Sequence, residues 1–307
     1  MVEKTPWLDG LTHLIMLVGL CTLLLPIWIV IVASTHDLPT VNQVPMPLWP
    51  GGHALANYSE AWRRGNFGAT LTTSFVVAVG VTVGKITLAA LSAFAIVYFR
   101  SRFRMVWFWL IFVTLMLPLE VRIVPTYAIA ANALRPFQSL LDWAGINPVL
   151  DAIAGVRISL PEVNLLNSYT GLILPLIATA TGTFLYRQFF LTVPDELAEA
   201  AKMDGAGPLR FFREILLPLS KTTMAALATI MFVYAWNQYL WPLLIVTEPG
   251  HATAVMGLQR LVPGPLFGQA PIWNIAMAAT LMVMLPPLLV VILMQRWFVR
   301  GLVATEK

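Results

Sequence analysis

Six runs of this 307-residue chain are apolar and long enough to cross a bilayer, at about 11–33, 70–98, 105–124, 168–190, 222–246 and 272–298. A helix needs about 20 apolar residues to span the hydrocarbon core. In lipid the backbone must satisfy its own hydrogen bonds, so such runs can only be helices. The third and fourth runs are the least clean, and prolines interrupt several, at Pro26, Pro118, Pro175, Pro286 and Pro287. Membrane helices tolerate proline where neighbours re-satisfy the freed carbonyls. Composition excludes a soluble core of this size: 58% of residues are hydrophobic and 11% charged, against about 25% charged in an ordinary soluble domain. Mean hydropathy is +0.77. The expectation is an all-α membrane protein, residues 1–307 forming a single transmembrane domain of six helices.

Six spans put both termini on one side. Lys4, Arg100, Arg102, Arg104, Arg187, Lys202, Arg210, Arg213, Lys221, Arg296, Arg300 and Lys307 fall on that side, against Arg63, Arg64, Arg122, Arg135, Arg157 and Arg260 on the other. The richer side is cytoplasmic by the positive-inside rule, so both termini are expected in the cytoplasm. The first run is too long for the apolar core of a secretory signal and is read as a retained span. The expected outer segments are 34–69, 125–167 and 247–271. The second contains LLDWAGINPVLDAIAGV, whose Trp143 and aliphatic neighbours suit one or two short interfacial helices. A single cysteine, Cys21, excludes an internal disulfide, and the four histidines lack metal-ligand spacing. No metal site is expected.

Against this background the cytoplasmic stretch 194–219, PDELAEAAKMDGAGPLRFFREILLPL, is conspicuously polar. Pro194 can open a helix, with Asp195 and Glu196 near the positive end of its dipole. Leu197, Ala200, Ala201 and Asp204 follow as helical neighbours, and Gly205 and Gly207 then turn the chain. Pro208 opens a second helix with Leu209, Phe212, Ile215 and Leu216 on one apolar stripe, and Pro218 closes it. The residues alone fit an ordinary amphipathic loop on the membrane surface as well as a docking element.

Spacing separates the two. Glu199-Ala200-Ala201, three residues, Gly205, nine residues, then Ile215-x-Leu217-Pro218 resembles the EAA motif of ABC importer permeases over its whole length. In that family the segment is a coupling helix that docks in a cleft of a cytoplasmic ATPase. The resemblance implies that Glu199, Ala200, Ala201, Asp204 and Gly205 form or shape that joint. SAFAIVYFR (92–100), FVTLMLPLEVRIVPT (112–126), TFLYRQFF (183–190), YAWNQYLWPLL (234–244) and MQRWFVRGLV (294–303) extend it across most of the chain. They resemble the carbohydrate-uptake permeases, and more closely one of the two permease subunits of sn-glycerol-3-phosphate importers. The outer segment 125–167 is longer than that resemblance leads one to expect.

The resemblance implies a type I importer permease fold in the bacterial cytoplasmic (inner) membrane. It implies as partners a second, homologous permease, two copies of an ATPase and an extracytoplasmic solute-binding protein. GVTVGKI at 80–86 lacks phosphate-loop spacing and lies in a span, where Gly80 and Gly84 suit close helix packing. This chain is therefore expected to bind no cofactor, to be a transporter subunit and not an enzyme, and to leave ATP and Mg to the partner ATPase. The solute is expected to be sn-glycerol-3-phosphate or a related glycerophosphodiester. The alternatives are a neutral sugar or oligosaccharide, a secondary transporter, or a scaffold without a solute path.

Ionisable and polar groups inside spans are the pathway candidates, because each is costly in lipid. Lys85 lies mid-span, Glu120 and Arg122 near the outer end of the third span, and Asn237 and Gln238 in the fifth. Lys85 and Arg122 could offset the charge of a phosphate ester, or pair structurally with neighbours. Read as one helix, the fifth span carries Tyr234 and Trp241 on the side of the Asn237–Gln238 pair, where they stack on a polyol or simply pack. TATGTF (179–184) suits close helix contact or a hydrated wall.

Overall fold

The computed structural model describes residues 6–99, 101–116, 119–178, 180–262 and 271–303, and every regular element among them is helical. Its helices of five residues or more are α1 (Pro6–Ala33), α2 (Ala54–Arg64), α3 (Phe67–Tyr98), α4 (Arg104–Met116), α5 (Leu119–Ala131), α6 (Arg135–Trp143), α7 (Ile146–Ala154), α8 (Tyr169–Ile173) and α9 (Ala180–Leu191). After them come α10 (Asp195–Met203), α11 (Pro208–Leu219), α12 (Lys221–Trp236), α13 (Leu240–Ile245), α14 (Ala254–Leu261) and α15 (Trp273–Val303).

Among the described residues, three helices are long and apolar enough to cross a membrane alone: Trp7–Ala33, Phe67–Tyr98 and Trp273–Trp297. Two bent pairs qualify if each is one span, Tyr169–Leu176 with Ala180–Leu191 and Pro208–Leu219 with Lys221–Trp236. Shorter apolar helices cover Arg104–Thr114 and Val121–Ala131. Where the sequence was read as a third span ending near 124, helix continues to Ala131. Where the fifth was read as unbroken, α12 stops at Trp236 and α13 starts at Leu240.

Backbone contacts divide the chain into two units, residues 1–71 with 254–286, and residues 72–253 with 287–307. In the first, α1 is apolar all round yet almost wholly exposed in this chain, so lipid or a partner must cover it. A buried amide knot organises the end of α1. Asn57 Nδ2 donates to the carbonyls of Ser34 (2.8 Å) and His36 (2.7 Å), and Asn57 Oδ1 accepts from Asn274 Nδ2 (2.8 Å). Buried polar groups require such partners, and these fix α2 against α1 and the start of α15.

The second unit holds most of α3, the helices from α4 to α13 and the end of α15. Gly80 and Gly84 let α3 lie against the end of α8 and the segment after it: a Cβ at these positions would sit 2.6 Å from Ile173 and 2.5 Å from Ile177. An aromatic core joins the last turns of α3 and α9 to α10 and α11. It contains Phe94, Tyr186, Phe190, Phe211, Phe212 and Leu216, with Ala89, Ala90, Ala93 and Ala201 as the small residues between the rings. Phe94 and Phe212 lie 4.9 Å apart between centroids, and Tyr98 meets Phe211 edge to face at 5.3 Å. Ring pairs of this geometry add about 0.5–1.5 kcal/mol each beyond their burial.

Candidate functional site

The polar stretch 194–219 folds as a helix, a tight turn and a second helix. Extended backbone at Pro194 precedes α10, whose first turn carries Asp195 and Glu196 and whose last carries Lys202, both signs matched to the helix dipole. The amide of Ala206 bonds the carbonyl of Ala201 (2.8 Å) and that of Gly205 bonds Lys202 (3.0 Å). This pair of bonds is a Schellman closure, and it places Gly205 at φ +73°, where a Cβ is penalised. Pro208 then opens α11 from the extended Gly207. Arg210 Nε reaches Glu214 Oε2 at 2.9 Å along the exposed face, and that hydrogen bond raises the guanidinium pKa.

Residues 212–216 of α11 widen into a π turn, with the amide of Leu217 bonded to the carbonyl of Phe212. Pro218 follows at once and has no amide to continue the ladder. At Ser220 the chain turns by 75° into α12.

Burial splits the EAA residues. Ala201 is 4% exposed and sits in the aromatic core, so its small size accommodates the chain's own rings. Glu199, Ala200, Asp204 and Gly205 are exposed. Beside them stand Leu197 (37% exposed), Met203 (83%) and Leu209 (73%), apolar side chains left partly or largely open among the described residues. The exposed face therefore offers carboxylates and uncovered apolar groups on a base packed into α3 and α9.

A second site lies among the spans. A cavity of about 820 Å³ is lined by one face each of α3, α4, α9 and α12 and by Arg122 of α5. Lys85 and Ser92 of α3, Trp107 and Thr114 of α4, Thr181 of α9 and Tyr234 of α12 mark its surface. A smaller cavity of about 80 Å³ shares Lys85, Arg122 and Tyr234 and extends to Thr126 and Trp241. Lys85 is 6% exposed, and its Nζ stands 4.1 Å from the centre of the Tyr234 ring. The Nε of Arg122 is buried without a hydrogen-bond partner among the described residues.

The structure thus brings Lys85, Arg122, Tyr234 and Trp241 together, while Asn237 and Gln238 stand apart. Asn237 caps α12 in an exposed position, and Gln238 turns its amide back to the Tyr234 carbonyl at 3.4 Å; neither lines these cavities. The shared-face argument for these four residues fails because α12 ends between them. Trp241 is buried and donates to the Gly171 carbonyl at 3.1 Å, so it packs more than it lines. Glu120 belongs to α5, and its side chain lies outside the described residues. Thr181 and Thr183, from the hydroxyl-rich stretch, do line the larger cavity. Sequence reasoning missed Ser92, Trp107 and Thr114, although Lys85, Leu88 and Ser92 fall at helical spacing, as do Trp107, Leu110 and Thr114.

The model of a family described as binding-protein-dependent transport system inner membrane component matches residues 85–303. Among curated proteins, an sn-glycerol-3-phosphate transport system permease protein UgpE of Pectobacterium atrosepticum is 48% identical over 313 residues, covering all of both chains. Proteins of the same name from Yersinia enterocolitica (48%) and Escherichia coli O157:H7 (45%) match over the same full length. Among solved structures, a bacterial ABC transporter involved in the import of the acidic polysaccharide alginate has a chain that superposes with a TM-score of 0.74. The match covers 97% of this chain and 99% of that one, at 17% identity, a likeness of fold.

Proposed function

This chain belongs to the family of binding-protein-dependent transport system inner membrane components, and we propose on that footing that it is the permease subunit of an ATP-driven importer of sn-glycerol-3-phosphate. Its full-length relatives carry that solute in their names. The observation that carries the mechanism is the segment 195–219, an exposed acidic and apolar face fixed on an aromatic base. A soluble motor gripping that face would move α3 and α9 with it, because Phe94 and Tyr98 pack against Phe212 and Phe211, and Phe190 in turn against Tyr98.

In this reading the chain crosses the bacterial inner membrane six times, α4 with α5 and α8 with α9 each forming a broken span, and both termini lie in the cytoplasm. The excess of Lys and Arg on the side of 194–219 supports that orientation. A second permease completes the passage, covering apolar surface such as that of α1. Two ATPase subunits bind and hydrolyse ATP with Mg, this chain holding neither. A solute-binding protein delivers the ester, or a related glycerophosphodiester, from outside.

The test is uptake of labelled sn-glycerol-3-phosphate by proteoliposomes holding all subunits. Uptake that requires both ATP and the binding protein is expected. Uptake that persists without the ATPase would overturn the ATP-driven reading, and ATP-dependent transport of a neutral sugar in place of the ester would overturn the solute.

A further inference from the structure

We propose that Lys85 and Arg122 form a transient binding site for the phosphate group of the travelling solute inside this subunit. The inference rests on the importer reading above and adds where the charge is carried. Both cations line the same two cavities. Among the described residues no carboxylate pairs with either.

Two unpaired cations in a wall among membrane helices are expensive, because desolvation penalises each and proximity penalises the pair. A structural ion pair would cancel that cost, and no such pair is present among the described residues. A phosphate monoester carries about −1.5 to −2 charges near neutrality and matches a pair of cations. The buried, unpartnered Nε of Arg122 offers it a directed donor, and the ammonium of Lys85 a mobile one.

The remaining wall suits passage better than storage. The Tyr234 ring already stabilises the Lys85 ammonium at 4.1 Å, so an incoming anion competes with a cation–π contact and is held less tightly. On the same helical face of α3, one and two turns from Lys85, come Leu88 and Ser92, and Thr114 and Thr181 add hydroxyls for a polyol backbone. The larger cavity, at about 820 Å³, lies within the range of small-molecule sites and leaves room for water around a three-carbon ester.

The experiment uses the complete importer in proteoliposomes, with a saturating supply of binding protein and rates normalised to assembled complex. Lys85→Met and Arg122→Met should each lower uptake of sn-glycerol-3-phosphate about tenfold to a hundredfold, the loss of one charge-assisted contact. Lys85→Arg should restore most of it. Wild-type rates in both neutral variants would overturn the site, whereas a wild-type importer that carries no phosphate ester would overturn the importer reading instead. Should the neutral variants fail to assemble, the wild type decides. Its maximal rate for the dianionic monoester should exceed several-fold that for the singly charged methyl ester of the same phosphate. Equal maximal rates would sink the two-cation site.

Discussion

The amide of Ala206 donates to the carbonyl of Ala201 at 2.8 Å, across a turn in which Gly205 alone has positive φ. The same Ala201 that accepts this bond is buried among the aromatic rings, so one residue closes α10 and seats it. The exposed face of α10 is thereby held in one orientation over α3 and α9. The geometry of this face is set locally, by residues 201–206 and two hydrogen bonds, before any partner arrives.

Replacing Gly205 tests the turn. Gly205→Ala forces a Cβ into the left-handed region at a cost of about 1–2 kcal/mol, although nothing crowds the position. Gly205→Asn, a side chain that tolerates this region, should cost less. Uptake and thermal stability of the assembled permease should both fall in the order Gly, Asn, Ala. Equal behaviour of the two variants would mean that the backbone conformation is not what matters there.

Ala200 and Ala201 should respond oppositely to the same enlargement. Ala201→Leu overpacks the core beside Phe211 and Phe212 and should destabilise the chain by about 1–3 kcal/mol. Ala200→Leu adds its bulk to an exposed face, where stability should change by no more than about 0.5 kcal/mol. Its effect should appear as lost stimulation of ATP hydrolysis by the loaded binding protein. A melting curve beside an ATPase assay on each variant separates the two roles.

The charge on that face is tested by Glu199→Lys. The side chain is exposed and makes no ion pair among the described residues, so membrane insertion and melting should be unchanged. Coupled uptake should fall at least about tenfold, because a reversed charge at a docking surface both removes an attraction and adds a repulsion. Normal uptake would remove Glu199 from the joint.

The helix, turn and helix of 194–219 were legible in the sequence because their information is local. Proline, glycine and charge mark the helix ends, and Gly205 stands where the turn demands it. The cavity was half legible. Lys85 and Arg122 are conspicuous as charges in apolar runs, but the neighbours that complete their wall come from other helices, and no single stretch reveals them. The reading of Tyr234 to Trp241 as one helical face failed because hydropathy is blind to a break flanked by apolar residues. The available signal was Pro242: it lies in the first turn of α13, where its missing amide is harmless, and so implies a helix start near Leu240. The division of Ala200 from Ala201 was invisible, since adjacent alanines read alike until the core that buries one of them is known.

Gly84 precedes Lys85 and sets how closely α3 approaches the segment after α8, so it tests whether helix seating positions the cation. A Cβ at position 84 would meet Ile177 Cγ2 at 2.5 Å and Ile177 Cβ at 3.0 Å, closer than side chains tolerate. Gly84→Ala should therefore displace the helices and cost about 1–3 kcal/mol by overpacking. Ile177→Ala removes the opposing methyl groups, and in combination with Gly84→Ala it should recover about 1 kcal/mol relative to the sum of the single changes. Uptake should follow the same cycle: low in Gly84→Ala, and partly restored in the double variant as Lys85 returns toward the Tyr234 ring. If the double variant regains stability without regaining uptake, the depth of α3 is not what places Lys85 in the cavity.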